Sequence, residues 1–304
     1  MESRVPDFVI IGAQKAASTY LAMRLGRHPG LFVAPGELPY FEDPDYTPGT
    51  WSLFVRNFRD TEHFRMVGFK RANYLGKPEV ASRLSQHLPD ARLIAILRNP
   101  IDRAISAYFH YMRSGFIPVK PLEDGMMRVM DGSMAARYPA ARDIIDYGMY
   151  FRHLARYLQY FPLTQICVVV VDDLVAAEGE VLDTVGSFLG VEGIMGGLDH
   201  ERRAQATTTS LTRLRIVRAI RPLHSRQNRE RSRTYPRKGP VALAVRNAAV
   251  ALDRFVLAPL IPGKASPPSP GLRSRLVQTY VEDVGALATL LGRDLLSLWT
   301  ATPG

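Results

Sequence analysis

One stretch near the start of the chain limits the fold more than any other. Phe8-Val-Ile-Ile-Gly-Ala-Gln-Lys-Ala-Ala-Ser-Thr-Tyr20 joins a wholly apolar run to a loop of small residues and then to a helix-forming segment. A short apolar run without alternation is the pattern of a strand covered on both faces, as in parallel sheets. A small-residue loop between such a strand and a helix points backbone N–H groups, and the positive end of the helix dipole, at one spot that binds a phosphate-like anion. Lys15 adds a full positive charge, and Ser18 and Thr19 add hydroxyl donors. The loop is not a Walker A motif. Counted from Gly12, the second glycine of that pattern falls on Ala17 and its lysine on Ser18, so Lys15 stands three residues early.

Apolar runs of strand length alternate with amphipathic stretches along the rest of the chain. This predicts an α/β fold, P-loop-like and three-layered, with a central, mainly parallel sheet flanked by helices. Further strands are expected at 32–33, 66–69, 92–97 and 166–171. Helices are expected at 19–27, 80–88, 100–112, 147–160, 179–189, 241–261 and 272–291. Gly190 is expected to cap one of them at its C-terminus. Arg98 follows strand 92–97, at the edge where open α/β sheets bind ligands. Ser106 lies two turns into the next helix, with Asp102 one turn before it. Arg98 and Ser106 can therefore converge on one anion; the plainer alternative is that Arg98 pairs with a neighbouring carboxylate.

Together the two segments resemble the sulfotransferases that use 3′-phosphoadenosine 5′-phosphosulfate (PAPS). The loop from Gly12 to Thr19 is similar to the family's 5′-phosphosulfate loop, which assigns Ala13, Gln14, Lys15, Ala16, Ala17, Ser18 and Thr19 to the donor. Arg98-Asn-Pro-Ile-Asp-Arg-Ala-Ile-Ser106 is similar to its 3′-phosphate motif, which gives Arg98 and Ser106 that role. Glu37-Leu-Pro-Tyr-Phe41 resembles a segment of the branch that includes heparan sulfate and bacterial carbohydrate sulfotransferases. The stretches Gly148-Met-Tyr150 to Phe161-Pro162 and Tyr280 to Trp299 resemble two of its helices. The match spans nearly all of the chain except 207–262. Two positions depart from the family: Gly36 stands where a lysine often precedes the glutamate, and Phe69-Lys-Arg-Ala-Asn-Tyr74 differs around Lys70.

Sulfuryl transfer needs an in-line acceptor oxygen, neutralisation of the leaving phosphate and removal of the acceptor proton. Lys15 is the candidate for the leaving group. Glu37, where the chain leaves a strand near the first loop, is the candidate general base. Lys70 pairs with Glu37 or grips an anionic acceptor. No metal is required, because a sulfuryl group carries less charge than a phosphoryl group. The alternative bases are His28, a capping residue by position, and His110, on the helix after Arg98; His63, His87, His153, His200 and His224 show no partner in the sequence.

Charge sharpens the choice of partner. Of 304 residues, 39 are basic and 29 acidic, a formal charge of +10. Residues 207–238 hold ten of the cations and one acid, Glu230. The chain is expected to be one sulfotransferase domain over 1–304 with a basic helical insertion at about 207–262. Leu211, Leu214, Val217, Ile220 and Leu223 recur at a spacing of three there, among Arg213, Arg215, Arg218 and Arg221. Such a helix either meets an anionic membrane surface, acceptor included, or packs on the core with a solvated charged face. Pro222 is expected to break or kink it.

The single cysteine, Cys167, excludes an internal disulfide and a cysteine-based zinc site, and its apolar surroundings mark a buried structural thiol. The start of the chain shows no signal-peptide pattern and no apolar run is long enough to span a bilayer, so the expected location is cytoplasmic, peripheral at the inner membrane face. Two other readings compete. One is a P-loop ATPase or kinase, with Val168-Val-Val-Val-Asp172 as a Walker B strand; the early lysine opposes it. The other is a nucleotide-regulated protein whose basic run binds nucleic acid, which the lack of interleaved aromatic residues disfavours. The acceptor class is a small molecule or glycan: a hydroxyl of a glycan, glycolipid or secondary metabolite, with an amine as a variant.

Overall fold

The structure is a computed structural model that describes residues 4–196, 210–228, 233–263 and 267–300. They fall into two compact units, one formed by 1–103, 147–203 and 281–304, the other by 104–146 and 204–280.

The first unit is built on a five-stranded parallel sheet: β1 (Phe8–Gly12), β2 (Leu31–Val33), β3 (Met66–Lys70), β4 (Arg92–Leu97) and β5 (Ile166–Val170), in the order β2-β3-β1-β4-β5. The central strand β1 is buried along its whole length, which is why its sequence does not alternate. Its Val9 is in register with Phe69 of β3 and with Leu93 of β4. On one face Phe8, Ile10, Ile94 and Val169 pack against Leu21 and Leu25 of helix Ser18–Leu25 and against Leu182, Val185 and Leu189 of helix Glu178–Leu189. That second helix ends at Gly190 in the left-handed conformation, φ 72°. The face of Phe69 meets an aromatic cluster in which Phe54 lies 5.3 Å from Phe69 and 5.4 Å from Phe41, centroid to centroid. The thiol of Cys167 is buried in this core, and burial pushes its pKa up to about 11.

Two long-range connections order the C-terminal part of this unit. Helix Tyr150–Tyr157 starts three residues later than the sequence pattern predicts. Its start is fixed from far away: the Asp283 carboxylate accepts the N–H groups of Phe151 at 2.9 Å and Arg152 at 3.0 Å. Burial raises the pKa of Asp283, and these N–H groups oppose the rise. The buried Trp299 donates its indole N–H to Asp172 at 3.1 Å, while its carbonyl accepts from Asn99 at 3.0 Å. Asp172, the Walker B candidate, is thus a partner of the Trp299 indole.

The second unit is mostly helical. Helix Leu211–His224 is N-capped by the Ser210 hydroxyl. Leu214 is fully buried, and Leu211, Val217 and Ile220 are half-buried, so the stripe at a spacing of three faces inward except at its last member, Leu223, which is exposed. Pro222 does not break this helix, which runs on to His224. It forgoes its own i→i−4 hydrogen bond, and the helix ends two residues later. Three of the stripe's arginines turn inward as well. Arg213 pairs with buried Asp253, which also binds Arg113 at 3.0 Å. Arg218 donates to the Ile117 carbonyl, and Arg221 donates to the Arg113 carbonyl at 2.8 Å and to Thr234 at 2.9 Å. Burial and the neighbouring Arg113 and Arg218 lower the pKa of Arg221. An antiparallel hairpin, β6 (Ser225–Gln227) with β7 (Thr234–Pro236), leads into helix Pro240–Ala251 and a π-helical turn over Leu252–Leu257. Residues 207–209 and 229–232 of the basic run, and His200, lie outside the described residues.

Candidate active site

The loop after β1 is shaped by backbone conformation more than by side chains. Gly12 has φ +147°, and a Cβ there would lie 2.7 Å from the Ala72 carbonyl oxygen. Only glycine fits a position that is at once left-handed and so close to another backbone. Lys15 and Ala17 are also left-handed, at φ 67° and 64°, a costly conformation for non-glycine residues that concentrates at ligand-binding loops. Ala17 is the N-cap of helix Ser18–Leu25 and its side chain caps nothing. The first-turn N–H groups of that helix therefore begin at the loop without a side-chain cap, which suits an anion. Ser18 is buried and Thr19 exposed. The residues fit a phosphate-bearing donor.

The loop is tied to two other strands. Ala13 donates its N–H to the Ile96 carbonyl near the end of β4 at 2.6 Å. Gln14 donates to Asn73, in the segment just after β3, at 2.9 Å. That same segment holds Glu37. One Glu37 oxygen pairs with Lys70, at the last position of β3. The other accepts from the Ala72 N–H at 3.1 Å and lies 3.4 Å from Arg71. Arg71 in turn pairs with the fully buried Glu42, and its backbone N–H donates to Ile10 of β1 at 3.0 Å. The Leu38 N–H donates to the Lys70 carbonyl at 3.3 Å. Residues 70–73 thus join the anion loop to Glu37 at the carboxyl edge of the sheet. The sequence pointed to Lys70 but not to Arg71, Ala72 or Asn73. The available signal was that all three directly follow a strand beside β1.

Arg98 directly follows β4, at the same carboxyl edge. Its guanidinium lies 3.9 Å from Asp102, a half-exposed pair one turn apart. Such a pair contributes little on its own, about 0–1 kcal/mol. Ser106 is buried within helix Pro100–Arg113. Three of the histidines, among them the proposed base His28, have partners. One His28 nitrogen accepts the Gly30 N–H at 3.1 Å and the other lies 2.9 Å from the Glu192 carbonyl, a turn-forming role. His87 is 3.0 Å from the Tyr46 hydroxyl, and His153 is buried beside Arg156 at 3.1 Å. Among the described residues no group of three or more His, Cys, Asp or Glu side chains could hold a metal ion.

A parallel α/β sheet with a glycine-shaped loop after its central strand and a cation after the adjacent strand is the class of protein that binds its ligand at the carboxyl edge of the sheet. The model of the sulfotransferase domain family matches residues 27–237, more than half of the chain. The chain belongs to this family of PAPS-dependent sulfotransferases. The matched span contains Glu37, Lys70, Arg98 and Ser106 and begins after the anion loop. Human "Bifunctional heparan sulfate N-deacetylase/N-sulfotransferase 2" is 30% identical over 199 residues, 62% of this chain and 22% of that protein. The Caenorhabditis elegans N-deacetylase/N-sulfotransferase 1 is 29% identical over 191 residues, 61% of this chain and again 22% of the relative. The chain thus spans about a fifth of the curated relatives it matches. A sulfotransferase crystal structure from Alicyclobacillus acidocaldarius shares the fold, with a TM-score of 0.66, 22% identity, and coverage of 98% of this chain and 100% of that one.

Proposed function

We propose that this chain transfers a sulfuryl group from PAPS to a hydroxyl or amine of a glycan acceptor. The observation that carries the reading is the tie between the Gly12–Thr19 loop and the Glu37–Lys70 pair through residues 70–73. It joins an anion site and a carboxylate within one framework. A glycan acceptor is supported by the heparan sulfate relatives; a glycolipid or a secondary metabolite is the next class. Residues 1–304 serve this activity as one domain, with 207–262 as a basic insertion, on the cytoplasmic side of the cell.

In this reading each residue has a distinct task. The backbone of residues 13–19 and the Ser18 and Thr19 hydroxyls hold the phosphosulfate end of the donor. Lys15 neutralises charge that grows on the leaving phosphate. Arg98 and Ser106 bind the 3′-phosphate. Glu37 takes the acceptor proton. Lys70 orients Glu37 by pairing with one of its carboxylate oxygens. Arg71 and the Ala72 N–H hold the second carboxylate oxygen. The test is incubation with labelled PAPS and sulfate-free heparan-type glycans, followed by mass spectrometry for added sulfate. Transfer to glycan supports the proposal. Phosphoryl transfer from magnesium-ATP without sulfate transfer would replace it with a kinase.

A further inference from the structure

The stretch from Pro240 to Leu260 departs from the rule that a helix apolar on all sides is buried. No residue of helix Pro240–Ala251 is buried. Ala242, Val245, Ala249 and Leu252 are half-buried, three or four residues apart, and form one packed stripe. Asp253 and Leu257 beyond it are buried and Ala258 is half-buried; the other residues of the stretch are open to solvent. Val241 is 75% exposed, Val250 58%, Phe255 70% and Leu260 74%, and Leu243 and Val256 are exposed too. Large apolar side chains exposed this densely along one short stretch mark an interaction surface rather than the single exposures normal on a monomer.

Cations border this surface. Arg237 and Lys238 precede the helix, Arg246 stands on it and Arg254 follows it, and all four are exposed. Between 233 and 263 there is one acid, Asp253. It is buried and paired with Arg113 and Arg213, so it does not offset the exposed charge. The arginines of helix Leu211–His224 that look available in the sequence are largely turned to internal partners, which leaves 237–260 as the basic and apolar face.

We propose that residues 237–260 dock the chain on an anionic lipid surface, with exposed apolar side chains of the stretch, Phe255 and Leu260 foremost, entering the headgroup boundary and the exposed cations lying over lipid phosphates. An anionic bilayer supplies both things the surface lacks, apolar depth and negative charge. A second copy supplies the first only. A two-fold contact would set one cationic rim against its own copy, at a cost from like-charge repulsion. A polyanionic glycan supplies the second only, and nucleic acid, whose bases stack on Phe255, still leaves Val250 and Leu260 uncovered. The docking is interfacial: among the described residues no helix is long and apolar enough to cross a membrane.

The test uses the full chain and phosphatidylcholine vesicles with and without phosphatidylglycerol. Wild type should sediment with the anionic vesicles at low salt and be released at high salt. Phe255→Ser combined with Leu260→Ser should reduce partitioning by about tenfold or more. Arg246→Ser with Arg254→Ser should reduce it on anionic vesicles only. Circular dichroism confirms that each variant is folded. Phe255→Trp gives a second readout that does not depend on the serine variants folding: its emission, less that of wild type, should shift to the blue on anionic vesicles. Failure of folded wild type to bind anionic vesicles at low salt overturns the proposal. So does binding that the serine pair leaves intact, or an unshifted emission from the Phe255→Trp variant. A dimer in lipid-free solution that the Phe255 and Leu260 changes dissociate would assign the surface to a second copy instead.

Discussion

The Glu37 carboxylate is gripped from both ends by one short segment, its first oxygen paired with Lys70 and its second accepting the Ala72 N–H at 3.1 Å. A surface glutamate in a Pro/Gly loop would be free to rotate; this one has its direction fixed. The expected consequence is a separation of binding from chemistry. Glu37→Gln keeps the size and one acceptor oxygen but cannot take a proton. Turnover should fall about 10²–10⁴-fold, with affinity for the 3′,5′-bisphosphate product near that of wild type. Steady-state rates and calorimetric titration check the two halves. Near-normal turnover would move the base elsewhere, with His110 next in line.

Lys70 should act through Glu37. Lys70→Met removes the cation that pairs with one Glu37 oxygen at the end of β3. Loss of that orienting contact should lower kcat with the acceptor KM near that of wild type, read by steady-state kinetics. A raised acceptor KM with unchanged kcat would show instead that Lys70 grips the acceptor.

Arg98 stands at the carboxyl end of β4, with the Asp102 carboxylate 3.9 Å from its guanidinium. Arg98→Ala should cost about 1.5–3 kcal/mol of affinity for the bisphosphate, roughly tenfold to a hundredfold in Kd. Calorimetry reads this directly. Equal affinity in both proteins would remove Arg98 from the donor site.

Gly12 tests the loop through its backbone. Gly12→Ala must place a methyl group 2.7 Å from the Ala72 carbonyl at a left-handed φ. The strain should cost about 1–3 kcal/mol and lower Tm by roughly 2–10 °C. Because Ala72 also holds Glu37, bisphosphate affinity and turnover should both fall. A variant with normal Tm and normal turnover would show that the close approach is not needed.

Cys167 gives the pH test. Its pKa is raised by burial to about 11, from an unfolded value near 9.0. A folded-state pKa above the unfolded one means the native protein holds its proton longer. The associated stability is full below pH 9 and is lost as pH rises toward 11, up to about 2–3 kcal/mol. Denaturant unfolding at several pH values should show this fall in wild type and a flatter curve in Cys167→Ala. In the native protein alkylation of the thiol should be slow and should accelerate on unfolding.

What the sequence determined is what short-range chemistry can encode. The unalternating run of β1, the small-residue loop and the helix after it are local, and so is the Arg98 position after β4. These are enough to read the parallel sheet and to place the candidate loop at its carboxyl edge. The short helix Leu122–Met130 and hairpin β6–β7 escape such a reading, because brief elements carry too few residues to show a period. Tertiary structure alone decided the rest. Glu37 and Lys70 are 33 residues apart, and nothing local shows that the chain after β3 turns back to hold that carboxylate. The Asp283 carboxylate that fixes the start of helix Tyr150–Tyr157 comes from 132 residues away. Arg213, Arg218 and Arg221 read as a solvated basic face because a sequence records charge and not direction. Partners within the unit, the buried Asp253 and the Ile117 and Arg113 carbonyls, drew them inward, since an unpaired cation cannot be buried without a large desolvation cost.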